Sequence, residues 1–261
     1  MVPKSFSSRH NPDRNICHDS NRDPYHESDR NPDSVHGSRN LRVLSENLLI
    51  LYEDNHIIAV YKPAGVLVQG DISGDISLMD IIRQYIKDTY KKPGNVFLGL
   101  IHRLDRPAAG VVVLAKTSKG ASRLSEQFRS RSITKIYWAQ VYGQMDPKEG
   151  TLTSYLMRET RGARLAKEGD PGAQDAVLSY RTLQAGGGKS LLEIVLHTGR
   201  KHQIRAQLAG AGHPIVGDVK YGAPSALAGG TIRLLAKSLT FKHPTRDEII
   251  TVESPEPDWE P

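Results

Sequence analysis

The sequence predicts an α+β fold, built on a mixed, mostly antiparallel β-sheet with helices at its periphery. The chain of 261 residues is long enough for one sizeable hydrophobic core. Most of its apolar residues occur in short runs that are separated by glycine, proline or charges, which is typical of β-strands. Three segments instead carry apolar residues at helical spacing, and a few helices inserted among many strands indicate the α+β class.

The first 40 residues form a polar segment that we expect to be disordered. They contain six basic and six acidic side chains, and near-repeats such as NPDRN and DRNPD. Only seven of them are apolar, which is too few to offset the entropy that ordering the segment would cost. We therefore predict a disordered polar tail over residues 1–40 and one folded domain over residues 41–261.

In the first half of the folded domain, regular structure is expected to begin near Leu48. The segments Leu48–Tyr52 and Ile57–Tyr61 are predicted strands joined by a turn. Ser77 is the expected N-cap of a helix whose apolar residues recur at helical spacing. A second helix is expected to be capped by Ser118 and to extend through Phe128.

Strand patterns dominate the second half, and one helix interrupts them. The predicted strands are Ile133–Gly143, Thr151–Met157, Ala176–Leu183, Leu191–His197, Ile232–Phe241 and Glu248–Val252. The helix is expected over Lys201–Ala209, where the sequence Gly-Ala-Gly ends it in the manner of a C-cap.

The charge of the folded domain suggests an anionic partner. The tail is balanced, so the whole net charge of +6 resides in residues 41–261, as expected of many nucleic-acid-binding proteins. No apolar run reaches the ~20 residues of a membrane helix, and the N-terminus lacks a secretory pattern. We therefore expect a cytoplasmic protein without a membrane partner. The single cysteine, Cys17, excludes an internal disulfide framework, and its spacing to nearby histidines predicts no metal site.

Three segments place polar residues at the ends of predicted strands: YKPAG (61–65), HRLDRPAAG (102–110) and TGRKHQIR (198–205). In the last one, Arg200, Lys201 and His202 gather positive charge at a helix N-terminus, where the dipole favours anions. Binding of a phosphate backbone would explain this cluster of positive charge, and the alternative is a basic face that is simply solvated. Arg205 lies beside the buried stripe of this helix and needs a carboxylate partner, for which Asp105 is the candidate.

These segments together resemble one family. HRLDRPAAGVVVLAKT is similar to the signature of the RluA-like RNA pseudouridine synthases, and TGRKHQIRAQLAGAGHPIVGDVKYG is similar to the family's third motif. KPAG resembles the first motif, KIYWA the tyrosine-bearing strand between them, and FKHP the closing strand. The matches occur in family order and cover about Leu48 to Pro255.

The resemblance implies a fold, a reaction and a set of residues. The fold is the pseudouridine synthase fold, and the reaction is the isomerisation of specific uridines in ribosomal or transfer RNA, without cofactor or metal. By matching position, Asp105 is the nucleophile, Tyr137 stacks on the target uracil, and Arg205 pairs with the aspartate. Arg103 corresponds to the arginine that fills the space left by a flipped base, and Leu208 to an apolar residue of the pocket.

The remaining expectations concern RNA binding. Lys62, Arg200, Lys201 and His202 are assigned as RNA contacts, and the protein is expected to act as a monomer. The residues leave open whether the carboxylate attacks the uracil ring, attacks the sugar, or supports a glycal route. We find no counterpart of the helical RNA-binding domain that precedes many members, so substrate choice is expected in the catalytic domain or in residues 158–172.

Departures from the family pattern and alternative interpretations accompany this hypothesis. Ala108 and Ala109 replace the usual hydroxyl residues, and Tyr61 replaces a common asparagine.

Asp105 could instead form an ion pair with Arg106 in a simple turn, Tyr137 could be core, and Asp218 is interpreted as structural. A non-catalytic RNA-binding protein on the same scaffold is the rival function. A glycosidase usually needs two carboxylates flanking the bond, and no second acid accompanies Asp105 in these motifs.

Overall fold

One mixed β-sheet forms the centre of the computed structural model, which describes residues 35–259. Its strands are β1 (Ile50–Glu53), β2 (Ile57–Lys62), β3 (Gly99–Leu100), β4 (Ala109–Ala115), β5 (Thr134–Tyr142), β6 (Glu149–Glu159), β7 (Gly162–Ala166), β8 (Ala173–Gly186), β9 (Lys189–Leu196), β10 (Leu234–Lys242) and β11 (Ile249–Glu253). The helices are α1 (Val35–Glu46), α2 (Leu78–Tyr90), α3 (Ser118–Arg129) and α4 (Gln203–Gly210). Two short 3₁₀ turns follow at Val219–Tyr221 and Ala228–Gly230.

The sheet has 11 strands, and its main path runs β1-β2-β4-β10-β5-β9-β8-β6-β7. Strand β3 pairs with β4, and β11 pairs with β10. The contact between β4 and β10 is parallel, and the other strand pairs are antiparallel. The predicted α+β class with a mixed, mostly antiparallel sheet and peripheral helices is confirmed.

Strand β4 shows why the first half of the sheet is so apolar. All seven of its residues are buried, because helices cover both faces of the sheet at this point. Val112 and Leu114 belong to the cluster that includes the buried face of α2. Val111 and Val113 face the opposite side, in the cluster that includes Leu124 of α3. The second half of the sheet packs its own core against α4.

The helix ends agree with the sequence in one case and differ in two. Ser77 caps α2 in a capping box, in which the hydroxyl accepts from the Asp80 N–H and the Asp80 carboxylate accepts from the Ser77 N–H. The cap of α3 is Thr117 and not Ser118, because the Thr117 hydroxyl accepts from the Gly120 N–H at 3.1 Å. Helix α4 begins at Gln203, later than the expected Lys201, since His202 has a left-handed backbone.

The structure differs from two expectations about segments of the chain. Helix α1 begins at Val35, so the proposed boundary at residue 40 falls inside a helix, while residues 1–34 lie outside the described residues. The segment 158–172, expected to be an insertion, contains strand β7, which pairs with β6 at the edge of the sheet. Its sequence, GARLA, does not alternate in polarity, so it carries no strand signal. Within residues 35–259, no helix combines the length and apolarity needed to cross a membrane.

Candidate active site

Asp105 lies in the loop that leads into β4, and Gly110 fixes where that loop can pass. Gly110 is paired with Ala236 in the parallel contact between β4 and β10. Its φ is +119°, and a Cβ there would lie 2.3 Å from the Ala236 carbonyl oxygen. Only glycine allows the two strands to approach so closely with this backbone. The motif glycine therefore sets the position of the loop that carries Asp105.

The first motif holds the other side of this loop. The Lys62 side chain is fully buried, and Nζ donates to the carbonyl oxygens of Pro63 (2.9 Å), Val66 (2.8 Å) and Arg106 (3.2 Å). Burial lowers the pKa of Lys62 to about 8, while Asp105 acts in the opposite direction. The prediction that Lys62 contacts RNA is therefore corrected, because an ammonium enclosed by three carbonyls does not reach a phosphate.

Arg205 on α4 joins two carboxylates. Its Nε and Nη2 donate to the two oxygens of Asp218 at 2.7 and 2.8 Å, and its Nη1 donates to Oδ2 of Asp105 at 3.0 Å. The Asp218 side chain is 1% exposed and the Arg205 side chain 6%, whereas the Asp105 side chain is 28% exposed. The buried Asp218 thus fixes the guanidinium, which presents one N–H group to the accessible carboxylate. Burial opposes the charge of Arg205, but the two carboxylates raise its pKa overall.

The expected pairing of Arg205 with Asp105 is present in the structure. The alternative, an ion pair between Asp105 and Arg106, is not formed, because Arg106 pairs with Asp75 at 2.7 Å and donates to the Gly65 carbonyl. Asp218 was expected to be structural, but its direct bond to Arg205 was missed. The only sequence signal for it is an acidic residue that follows Gly217 at the end of the third motif.

Buried amides fix the segment between β9 and α4. The Gln203 side chain accepts from the Thr198 hydroxyl at 2.8 Å and from the Arg200 N–H at 3.0 Å, and it donates to the Val177 carbonyl at 3.1 Å. These bonds reverse the chain after β9 and leave His202 with a φ of 52°. The His202 ring is consequently directed toward Asp105.

His202 contacts both Asp105 and the second half of the third motif. Its Nε2 lies 3.6 Å from Oδ1 of Asp105, and its Nδ1 lies 2.9 Å from the hydroxyl oxygen of Tyr221. Burial lowers the pKa of His202 well below its usual value, with Asp105 acting against this and Arg205 adding to it. The ring is therefore neutral at pH 7, which corrects the expectation that His202 adds positive charge.

The other two basic residues of the motif are tied to neighbouring strands. Arg200 pairs with the carboxylate of Asp175 at 2.6 Å, and Lys201 donates to the carbonyls of Glu159 (3.0 Å) and Thr160 (2.9 Å). Both side chains nevertheless line the open cleft beside Asp105. Their charges contribute to the potential of this cleft.

Tyr137 on β5 lies at the floor of the site. It lines the cleft together with Asp105 and packs against the two hydrophobic clusters that meet there. Burial, with a smaller contribution from Asp105, raises the pKa of the Tyr137 hydroxyl. Among the described residues, none forms a hydrogen bond with this hydroxyl. Tyr137 also lines the smaller pocket beside Asp105.

Leu208 does not line the pocket, contrary to expectation. It is fully buried in the core behind the site, one turn beyond Ile204. The apolar residues that do line the inner pocket include Leu196, Ile204 and Leu234. Helical periodicity identifies the buried face of α4 but does not determine which residue on that face reaches the pocket surface.

His102 supports the loop rather than the substrate. Its Nε2 accepts from the Val113 N–H at 3.0 Å, and its ring stacks on Phe128 with centroids 4.8 Å apart. Burial, with a smaller effect from Lys135, lowers the pKa of His102 to about 4. This neutral histidine ties the start of the Asp105 loop to β4 and to α3.

The site opens into a basic cleft of about 740 Å³, which shares several lining residues with a smaller, inner pocket of about 80 Å³. Both are lined by Arg103, Asp105, Tyr137 and His202. The cationic residues that line the cleft are Arg103, Arg129, Arg131, Lys135, Arg158, Arg200 and Lys201. Asp105 is the one carboxylate among the described residues that line it. A cleft of this charge is suited to a polyanion that places one group against Asp105.

Arg103 projects at the rim of both cavities and is exposed. Within the part of the chain that the structure describes, its guanidinium has no hydrogen-bonded or ion-paired partner. The same residues include no cluster of three or more histidine, cysteine or acidic side chains arranged to hold a metal ion. Ala108 and Ala109 are buried, so the small volume of these two positions is used in packing.

Comparisons with known proteins agree with this geometry. Residues 56–210 match the family model described as RNA pseudouridylate synthase. The uncharacterized RNA pseudouridine synthase YhcT of Bacillus subtilis (strain 168) is 33% identical over 211 residues, which cover 80% of this chain and 68% of that protein. The ribosomal large subunit pseudouridine synthase D of Nitrosomonas europaea is 34% identical over 224 residues, or 81% of this chain and 62% of that protein.

A solved structure gives the same answer for the fold. Human RNA Pseudouridylate Synthase Domain Containing 4 superposes with a TM-score of 0.72 at 26% identity, covering 85% of this chain and 94% of that one. The chain therefore belongs to the RNA pseudouridylate synthase family of the RluA type, a family of RNA-modifying isomerases.

Proposed function

We propose that this protein isomerises specific uridines of ribosomal or transfer RNA to pseudouridine, with Asp105 as nucleophile and with the target base flipped out of its stack. The observation that carries the proposal is the placement of Asp105. It is the one carboxylate among the described lining residues of a cleft with seven cationic side chains, and it is held by a guanidinium that a second, buried carboxylate fixes.

The arrangement of Asp105 suits the reaction. The isomerisation breaks the bond between base and ribose and forms a new carbon–carbon bond, and an ionised carboxylate can assist it covalently or electrostatically. Free aspartate is ionised at neutral pH. The N–H of Arg205, 3.0 Å from Oδ2, orients the group and compensates its charge when a bound base excludes water. Oδ1 remains directed toward the pocket and His202.

Base flipping is supported by Arg103 and Tyr137. Extruding a base costs a few kcal/mol, roughly, and least where the base is already unpaired. Stacking of a base on an aromatic ring contributes about 1–3 kcal/mol, and the Tyr137 ring lines the pocket beside Asp105. Arg103 is exposed and has no ionic partner among residues 35–259, which supports our assignment of this side chain to the gap left in the RNA.

The substrate class is inferred from charge and from relatives. The cations of the cleft supply sequence-independent contacts with phosphates. Two relatives, from Nitrosomonas europaea and Neisseria meningitidis, are named ribosomal large subunit pseudouridine synthase D, so large-subunit ribosomal RNA is the first substrate to test. We also propose that the protein acts in the cytoplasm and as a monomer.

The test uses unmodified ribosomal and transfer RNA made by transcription in vitro, in which pseudouridines are mapped after incubation with the protein. Wild-type protein should convert defined uridines, and Asp105→Asn should convert none. Asp88→Asn is the matched control, because Asp88 is an exposed carboxylate on α2 whose partner is Gln84. Full activity of Asp105→Asn would contradict the proposed nucleophile.

The rival function, RNA binding without catalysis, has its own outcome in this test. Wild-type protein would then bind both classes of RNA and leave every uridine unchanged. The intact contact between Asp105 and Arg205 argues against it, because a protein that only binds RNA has no need of a fixed carboxylate in a basic cleft.

A further inference from the structure

The tautomer of His202 can be assigned from its contacts with Tyr221. The Tyr221 hydroxyl meets the outer edge of β7, where its oxygen accepts from the Ala163 N–H at 3.0 Å and its proton is donated to the Ala163 carbonyl at 3.0 Å. A phenol has a single proton to donate. At the third contact, 2.9 Å long, Nδ1 of His202 must therefore be the donor. This leaves Nε2 of His202 as an acceptor.

The ring also stays unprotonated. Nη1 of Arg205 lies 3.3 Å from Nδ1 and 3.4 Å from Nε2 of His202, so a cation faces the ring at nearly equal distances from both nitrogens. Burial is the largest cause that lowers the pKa of His202; Arg205, Lys220 and Lys201 also lower it, and Asp105 alone among the neighbouring charges raises it. At neutral pH the Nε2 lone pair is therefore free of a proton.

Two acceptors consequently face each other across the inner pocket. Nε2 of His202 and Oδ1 of Asp105 are 3.6 Å apart, and both residues line the pocket of about 80 Å³. The other oxygen of Asp105 is engaged by Arg205. Two lone-pair-bearing atoms at this distance repel each other unless one donor lies between them, and a single N–H or O–H group can reach both.

We propose that Nε2 of His202 and Oδ1 of Asp105 bind one hydrogen-bond donor of the target nucleotide, which makes His202 a substrate-contacting residue that determines specificity. The inference rests on the proposed function. A uridine in RNA offers two such donors near the reacting bond, the ribose 2′-hydroxyl and the imide N–H of the base. The first would distinguish RNA from DNA, and the second would distinguish uracil from cytosine.

His202 therefore contacts RNA as expected from the sequence, but in a different chemical role. A protonated histidine would bind a phosphate through its charge. A neutral ring whose Nδ1 proton is fixed by Tyr221 offers no charge and no donor at Nε2, and it selects for a donor on the substrate. The contact is thus with the reacting nucleotide and not with the backbone.

The experiment compares wild type with His202→Asn on an oligoribonucleotide that spans the uridine converted by the wild-type enzyme. Asparagine tolerates the left-handed backbone and keeps a polar group near Nδ1, but it has no atom at the position of Nε2. The single-turnover rate is expected to fall about 10–100-fold, the usual effect of losing one hydrogen bond to a charged or polar partner. The dissociation constant for RNA should change less than about threefold, because no phosphate contact is lost. His202→Gln, which can place an oxygen near Nε2, should recover part of the rate.

Two modified oligonucleotides identify the donor, one with 2′-deoxyuridine and one with 3-methyluridine at the target position. The modification that removes the bound donor should slow the wild type and cause little further loss in His202→Asn. His197→Asn is the matched control, since His197 is an exposed histidine bonded to Ser179. If His202→Asn lowers the melting temperature markedly, Tyr221→Phe replaces it. Tyr221→Phe keeps the aromatic ring against Arg205 but removes the hydroxyl that fixes the proton on Nδ1 of His202. It should therefore also lower the rate, with little further loss on the oligonucleotide that lacks the bound donor.

The outcomes separate this inference from the proposed function. If wild-type protein converts RNA but the losses from His202→Asn are additive with both modifications, the inference is overturned and the proposed function stands. A single-turnover rate of His202→Asn within twofold of the wild-type rate would also overturn the inference and leave the proposed function standing. If wild-type protein converts no uridine in any RNA, the proposed function fails and the inference fails with it.

Discussion

Replacing Arg205 should destabilise the fold far more than replacing Asp105, although both changes should abolish turnover. In Arg205→Met, the Asp218 carboxylate, 1% exposed, loses the guanidinium that binds both its oxygens. Leaving one buried charge without its partner costs about 3–5 kcal/mol. In Asp105→Asn the buried pair of Arg205 and Asp218 remains intact and neutral, and the lost contact involves a carboxylate that is 28% exposed. A contact of that kind contributes only about 0–1 kcal/mol.

Thermal unfolding followed by circular dichroism measures this difference. For a domain of this size about 2–4 °C correspond to 1 kcal/mol, so Arg205→Met should lower the melting temperature by about 6–20 °C. Asp105→Asn should lower it by less than about 4 °C. The double variant Arg205→Met/Asp218→Leu should be more stable than Arg205→Met, because it removes the unpaired charge. Equal shifts for the two single variants, or no recovery in the double variant, would refute the reasoning.

Three further predictions follow from the same loop. Gly110→Ala should cost more than about 3 kcal/mol in urea unfolding, because its Cβ would lie 2.3 Å from the Ala236 carbonyl oxygen. Gly65→Ala, at a φ of +87° with open space around it, should cost clearly less, and similar costs would exclude the clash as the cause. Burial lowers the pKa of His102 to about 4 in the folded protein, whereas the pKa of histidine in the unfolded chain is about 6.5. As the pH falls from about 6.5 to 4, the unfolded chain therefore gains a proton that the folded protein does not, and the free energy of unfolding falls by up to ~1.4 kcal/mol per pH unit. His102→Gln should flatten the dependence of the urea midpoint on pH, and an unchanged slope would count against this. Arg103→Ala should leave stability within about 0.5 kcal/mol of wild type but reduce turnover on structured RNA, and unchanged turnover would exclude its role in base flipping.

The features of the fold and of the site that could be predicted depend either on neighbouring residues or on the pairing of opposite charges. The N-cap of α2 was expected at Ser77 from residue type and spacing, and it is present, together with a capping box that Asp80 completes. The pairing of Asp105 with Arg205 follows from the need of a buried arginine for a carboxylate, and it is also present. Both conclusions need only residue types and spacing.

The parts that were missed depend on distances that spacing does not contain. Lys62 is buried because carbonyls from its own loop and from Arg106, 44 residues away, enclose its ammonium. Leu208 faces the core as its periodicity indicates, but Leu196 and Leu234, from two different strands, reach the pocket surface. The left-handed backbone of His202, which turns its ring toward Asp105, has no counterpart in a hydrophobic pattern.

The contact between Asp105 and Arg205 joins residues 100 positions apart in the chain. One lies before β4 and the other after β9, and the two strands are connected through the sheet by β10 and β5, which lie between them. Contacts of such sequence separation form late, because the entropy of closing a long loop must be overcome before they contribute stability. During refolding, recovery of turnover should therefore lag behind recovery of the circular dichroism signal. Catalytic competence then serves as a kinetic probe for the final closure of the sheet.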